Sequence, residues 1–172
     1  MLISHLKDAF LHMKWADALI WKSVLAEASA AGDEEVLDIL AHLHITQHSF
    51  LNAWLNRPFE RWKRADFDST KALLLWAESF YTPGGQYLDS LSQDDLKSAM
   101  VLPWAKYFGR QLGKEPVDTT SLETIHQLIS HSMHHRGQVA KRIRHLGGAP
   151  PLTDYIGWVW MGRPKAEWPL FD

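Results

Sequence analysis

Apolar residues recur at helical spacing over the first part of the chain, at Leu2, Leu6, Phe10, Met13, Ala16, Ile20 and Val24. That period predicts one long amphipathic helix from Leu2 to about Ala28. The run Ala30-Ala31-Gly32-Asp33 stops it, and Asp33 has the side chain to cap a successor. A second helix is predicted from about Glu34 to Asn56, with the stripe Val36, Leu37, Leu40, Leu43, Phe50, Leu51 and Trp54, ending at Pro58. Phe59 to Ser69 lacks a clear period and reads as a connection. Ser69 opens a third helix through Leu73, Leu74, Ala77 and Phe80 towards Leu91. Thr82-Pro83-Gly84-Gly85 should kink or break it, because proline removes a ladder hydrogen bond. Met100 to Thr119 is the least regular stretch, with Val101-Leu102-Pro103-Trp104 and Lys106-Tyr107-Phe108-Gly109 expected as a short hairpin or a loop.

The sequence Thr120-Ser121-Leu122-Glu123 has the form of a capping box and starts a fourth helix. Its stripe is Ile125, Leu128, Ile129, Val139, Ile143 and Leu146, and Gly147-Gly148 ends it before Pro150-Pro151. The remaining tail, with Trp158, Trp160, Trp168 and Phe171, is expected to lie over the helices as an aromatic cover. The expected fold class is all-α: a four-helix bundle with an irregular crossover before the last helix, formed by residues 1–172 as one domain.

Composition narrows the chemistry. With 172 residues, 46% of them hydrophobic, the chain can bury a sizeable core. A formal charge of −2 supplies no footprint for nucleic acid. The absence of Cys excludes disulfides, thiolate nucleophiles and every Cys-ligated zinc class. No apolar run approaches the length of a membrane span, and Met1-Leu2-Ile3-Ser4-His5-Leu6-Lys7-Asp8 lacks the form of a signal peptide. The expectation is a cytoplasmic protein with no membrane and no nucleic-acid partner.

Ten histidines remain to be explained, and they cluster. His42, His44 and His48 lie on the second helix; His131, His134 and His135 lie on the fourth. His131 and His135 are four residues apart, so they share one helix face and could grip one ion. The residues after His131 are Ser132, Met133 and His134, so no zinc-protease signature is present. A third imidazole from the second helix would complete an open site of the catalytic kind, and zinc or nickel suits such donors. At this level the third ligand stays open among His42, His44 and His48, with His44 nearest the centre of the apolar stripe.

The stretch His131-Ser-Met-His-His135-Arg136-Gly137-Gln138, followed by Arg142, Leu146-Gly147-Gly148 and Pro150-Pro151, resembles the last-helix signature of the DinB/YfiT superfamily of metal-binding four-helix bundles. Leu40-Ala-His42-Leu43, Gln47 and Phe50-Leu51 resemble its second helix. Met13-Lys14-Trp15-Ala16-Asp17 resembles its early Trp-Ala-Asn segment, with Asp in place of Asn. The resemblance covers about residues 5–155. It implies a divalent metal site of His42, His131 and His135. Characterised members of the superfamily resemble thiol S-transferases using low-molecular-weight thiols, or metal-dependent hydrolases and isomerases. The resemblance therefore implies a metal-dependent enzyme acting on a small-molecule substrate. The alternative is a non-catalytic, stress-associated binding bundle with a vestigial site. A homodimer is expected in either case. Asp17 could orient a ligand or act as a base, or be a solvated acid. Because imidazole ligates only when neutral, metal affinity is expected to fall below a pKa of about 6.5 and to be largely lost near pH 5.

Overall fold

The computed structural model describes residues 2–170, so Met1, Phe171 and Asp172 lie outside the described residues. Helix α1 spans Leu2–Ala26 and is followed by the single turn α2, Ala28–Ala31. The long first helix thus ends two residues earlier than its period predicts, at Glu27, whose backbone is extended. Helix α3 spans Glu34–Trp54 and starts as expected: the Asp33 carboxylate accepts the Val36 N–H at 3.0 Å. It stops before Pro58. Asn56 adopts a left-handed φ of 51°, and the Arg57 N–H reaches back to the Asn52 carbonyl at 2.7 Å. This is a Schellman close, for which asparagine is the usual substitute for glycine.

The third helix is two, α4 (Thr70–Ser79) and α5 (Tyr81–Ser90), opened by the Ser69 side chain accepting from Ala72. The break falls at Phe80, one turn before Pro83. Proline has no N–H for the Ser79 carbonyl four residues back, so the ladder is interrupted there. Gly84 and Gly85 stay helical, and Gly84 allows the close approach of Phe10 and Phe80. The crossover differs from a hairpin or loop: Ala105–Leu112 is a helix, α6. The only strands among the described residues are β1 (Ala99–Met100) and β2 (Thr119–Thr120), which pair antiparallel across the ends of the crossover.

Helix α7 spans Ser121–His145, opened by the expected capping box of Thr120 and Glu123 and closed by Gly147 at φ 86°. The tail contains one short helix, α8, Tyr155–Trp160. Trp158 and Trp168 do cover the bundle, Trp158 against Trp15 and Ala16 on α1. Trp160 does not, and is 79% exposed.

Four helical rods, α1, α3, α4–α5 and α7, enclose a core that includes Met13, Trp21, Leu40, Leu73, Phe80, Ile125 and Ile143. Helix α7 packs against both α3 and α1. The chain is an all-α four-helix bundle with a crossover before its last helix. Among the described residues no helix is long and apolar enough to cross a membrane.

The two α5 glycines give opposite expectations. A Cβ on Gly84 would sit 2.9 Å from Phe10 Cζ and 3.3 Å from Phe80 Cζ, both in buried rings. A Cβ on Gly85 meets only Phe10 Cε1, at 3.9 Å. Gly85→Ala should stabilise the protein by about 0.5–1 kcal/mol through helix propensity. Gly84→Ala should destabilise it by about 1–3 kcal/mol, because overpacking outweighs that gain. Urea denaturation of the two variants checks both signs.

Candidate metal centre

Antiparallel packing of α3 on α7 brings the two histidine clusters together. His42 on α3 faces His131 and His135 on α7, with ring centroids 5.1 and 4.6 Å away. One ligating atom from each of the three rings lies within 4.8 Å of the others. His131 and His135 are one turn apart, with ring centroids 4.3 Å apart. Their Nε2 atoms are separated by 3.1 Å. That is the edge expected when two nitrogens bond one ion at about 2.0–2.1 Å.

The protonation state suits ligation. Gln138 Oε1 accepts from His135 Nδ1 at 2.7 Å, which places the ring proton there and leaves the Nε2 lone pair facing the cluster. The Gln138 amide nitrogen in turn approaches His134 Nε2 at 3.1 Å, so His134 supports the site from outside. Partial burial lowers the pKa of His42. Burial and then the charges of His42 and His134 lower that of His135, against its bond to Gln138. His131 is held down to about 4 by burial and by His135, His42 and His134 in turn. Its Nδ1 is buried without a hydrogen-bond partner. Three neutral imidazoles converging in this way fit a divalent ion. His131 stays neutral well below the ordinary 6.5.

His44 and His48 take no part. His44 is wholly buried: the Trp21 indole N–H donates to its Nε2 at 2.9 Å, and its Nδ1 donates to Gln47 Oε1 at 2.8 Å. Both nitrogens are occupied, and burial pushes its pKa down. His48 stacks on Trp76 at 3.8 Å, and its Nε2 bonds the Trp76 carbonyl oxygen at 2.9 Å.

Asp17 is neither solvated nor directed at the histidines. It is 1% exposed and receives Arg136 Nη1 at 2.7 Å on Oδ1. Its Oδ2 accepts Gln47 Nε2 at 2.8 Å and the Tyr81 hydroxyl. Gln47 Nε2 also lies 3.2 Å from Ser132 Oγ. Ser132 follows His131 and Arg136 follows His135, while Gln47 shares α3 with His42. The network therefore fixes the two helices that carry the triad. Burial next to the Asp17 charge raises the Tyr81 pKa well above 10.0.

One turn beyond His135, α3 and α7 form a groove of about 500 Å³ lined by Glu35, Ile39, Gln138, Lys141, Arg142 and His145, which touches the triad only through Gln138. Reading the histidines alone misses these residues. The available signal is spacing: His131, His135, Gln138, Arg142 and His145 recur every three or four residues and form one stripe along α7. Arg142 is fixed by a two-point contact with Asp33, at 2.7 and 3.1 Å, and by Glu35 at 3.1 Å.

A bundle of this topology, with three histidines meeting between its second and last long helices, defines a class, and comparison with known proteins agrees with it. The model of the DinB family matches residues 7–166. The chain belongs to the DinB family. No curated protein matches it.

Two outcomes test this description. Asp17→Asn leaves Arg136 buried beside a neutral amide, and should cost about 3–5 kcal/mol by urea denaturation. The double change Asp17→Leu with Arg136→Met should cost less than the single one. In acid, His131 protonates near 6.5 in the unfolded chain but only at about 4 in the fold, as does His48. Their contribution is complete above 6.5 and is lost as pH falls from 6.5 towards 4, by up to about 3 kcal/mol for His48 and by less for the half-buried His131, where solvent screens the charge. The unfolding free energy of metal-free protein should fall over that window, and His131→Gln should flatten the fall.

Proposed function

We propose that the protein is a metal-dependent enzyme of the thiol S-transferase or hydrolase type. It would hold one divalent ion, zinc or nickel, through His42, His131 and His135. The observation that carries this reading is the convergence of three neutral imidazoles beside an open groove. When bound, the ion would act as a Lewis acid and acidify a small molecule in its open coordination positions. Three protein ligands leave such positions free, which separates this set from a closed structural site.

The chain's own residues do the rest. Gln138 holds the His135 ring with its lone pair inward. The pair of Asp17 and Arg136 keeps α7 in register against α1. The groove volume is in the range that takes a small molecule. No Trp or Phe lines it, so it is not closed by aromatic packing. That favours an enzyme over a binding bundle with a vestigial site. A low-molecular-weight thiol is the co-substrate the reading favours, and homodimer formation in the cytoplasm belongs to the same proposal.

Untagged protein should carry close to one equivalent of zinc or nickel by elemental analysis, and added metal should raise its melting temperature at pH 7.5. His131→Ala with His135→Ala should abolish both, whereas His44→Gln should keep the metal despite lower stability. Metal content unchanged by the double substitution would overturn the assignment. Metal bound at full occupancy, with no turnover of thiol-acceptor pairs or ester substrates, would favour the vestigial reading.

A further inference from the structure

Outside the triad, the exposed side of α1 carries a second concave surface. Two cavities of about 250 and 320 Å³ share Leu11 and Lys14 as a common wall. The first is floored by Phe10, Tyr81 and Leu88, and the second by Trp158 and Ala166. Leu11 is 53% exposed at their junction, a large aliphatic side chain left open to solvent.

The rim has one sign of charge in excess. Lys7 and Arg163 are paired, Lys7 with Asp89 at 2.8 Å and Arg163 with Asp8 at 3.3 Å. Lys14 and Lys165 have no carboxylate partner among the described residues. Lys14 instead stands 6.0 Å over the Tyr81 ring. Two uncompensated lysines in one groove are notable on a chain of net charge −2. The wall is also built. Arg163 holds a left-handed φ of 57°, a conformation that side chains other than glycine, asparagine and aspartate seldom adopt, directly after Gly162 at 81°. In that turn its guanidinium lies 5.8 Å over the Trp158 ring. A further polar group is unused: the Trp168 indole N–H is buried without a partner, and its ring packs on Tyr81.

We propose that this groove between α1, α5 and the tail is a binding site for a small amphipathic organic anion. Its aromatic or aliphatic body would lie on Leu11 and Ala166, which are backed by the buried Tyr81 and Trp158 rings, with its carboxylate or sulfonate between Lys14 and Lys165. An apolar floor under unpaired cations discriminates against neutral and cationic ligands and suits a drug-sized body. The site is separate from the metal centre, and its occupancy does not depend on the metal.

The test uses anilinonaphthalene sulfonate on the folded full-length protein, with neutral phenylnaphthylamine for comparison. One saturable equivalent of the sulfonate is expected, with the neutral compound binding at least tenfold more weakly. Lys14→Glu with Lys165→Glu should weaken the sulfonate at least tenfold and leave near-ultraviolet circular dichroism unchanged. Lys106→Glu with Arg110→Glu, on α6, should leave binding as it was. In the unaltered protein, sulfonate titration should shift the Trp158 indole N–H resonance. Equal affinity for the neutral compound, indifference to the Lys14 and Lys165 reversals, or shifts confined to other tryptophans would overturn the proposal.

Discussion

The bundle depends on what is done with one buried carboxylate. Asp17 on α1 meets Arg136 on α7, Gln47 on α3 and Tyr81 on α5, so a single side chain ties together four helices. A charge in that position is tolerable only when its partners are complete, since an unpaired buried ion costs several kcal/mol. The relative positions of the helices are therefore constrained together. Apolar packing alone would tolerate small shifts in how one helix sits on another, but the short directional bonds of this network do not. The triad benefits directly, because its ligands flank residues of that network on α7 and share α3 with Gln47.

The division of labour among the histidines follows from depth. His44 points into the core, where its two nitrogens are satisfied by Trp21 and Gln47 and no ion could reach it. His42 lies at the rim of the same helix, where a ring can face both a partner helix and solvent.

Helix boundaries and caps were legible in the chain because they follow from local chemistry: Asp33, Ser69, Thr120 with Glu123, and Gly147 act within one turn of themselves. The meeting of His42 with His131 and His135 was legible only through the motif around His131 and His135 and the register set by Gln47. Periodicity by itself left the third histidine open among His42, His44 and His48. Asp17 could not be placed from its neighbours, because its partner Arg136 is 119 positions away. The crossover was misjudged for a related reason. Helix α6 buries only Gly109, so it leaves almost no apolar stripe facing the core, and Pro103 and Gly109 argue against regular structure there.

The distance between Asp17 and Arg136 also has a consequence for how the chain is made. While the ribosome has yet to release the last helix, α1, α3 and α5 can associate, but the Arg136 guanidinium that meets Asp17 is not yet present. Closing that assembly early would strand Asp17 without its guanidinium, so a premature three-helix product is penalised. Docking of α7 then supplies the counter-charge and the two histidines in one event, so the core and the histidine triad are completed together.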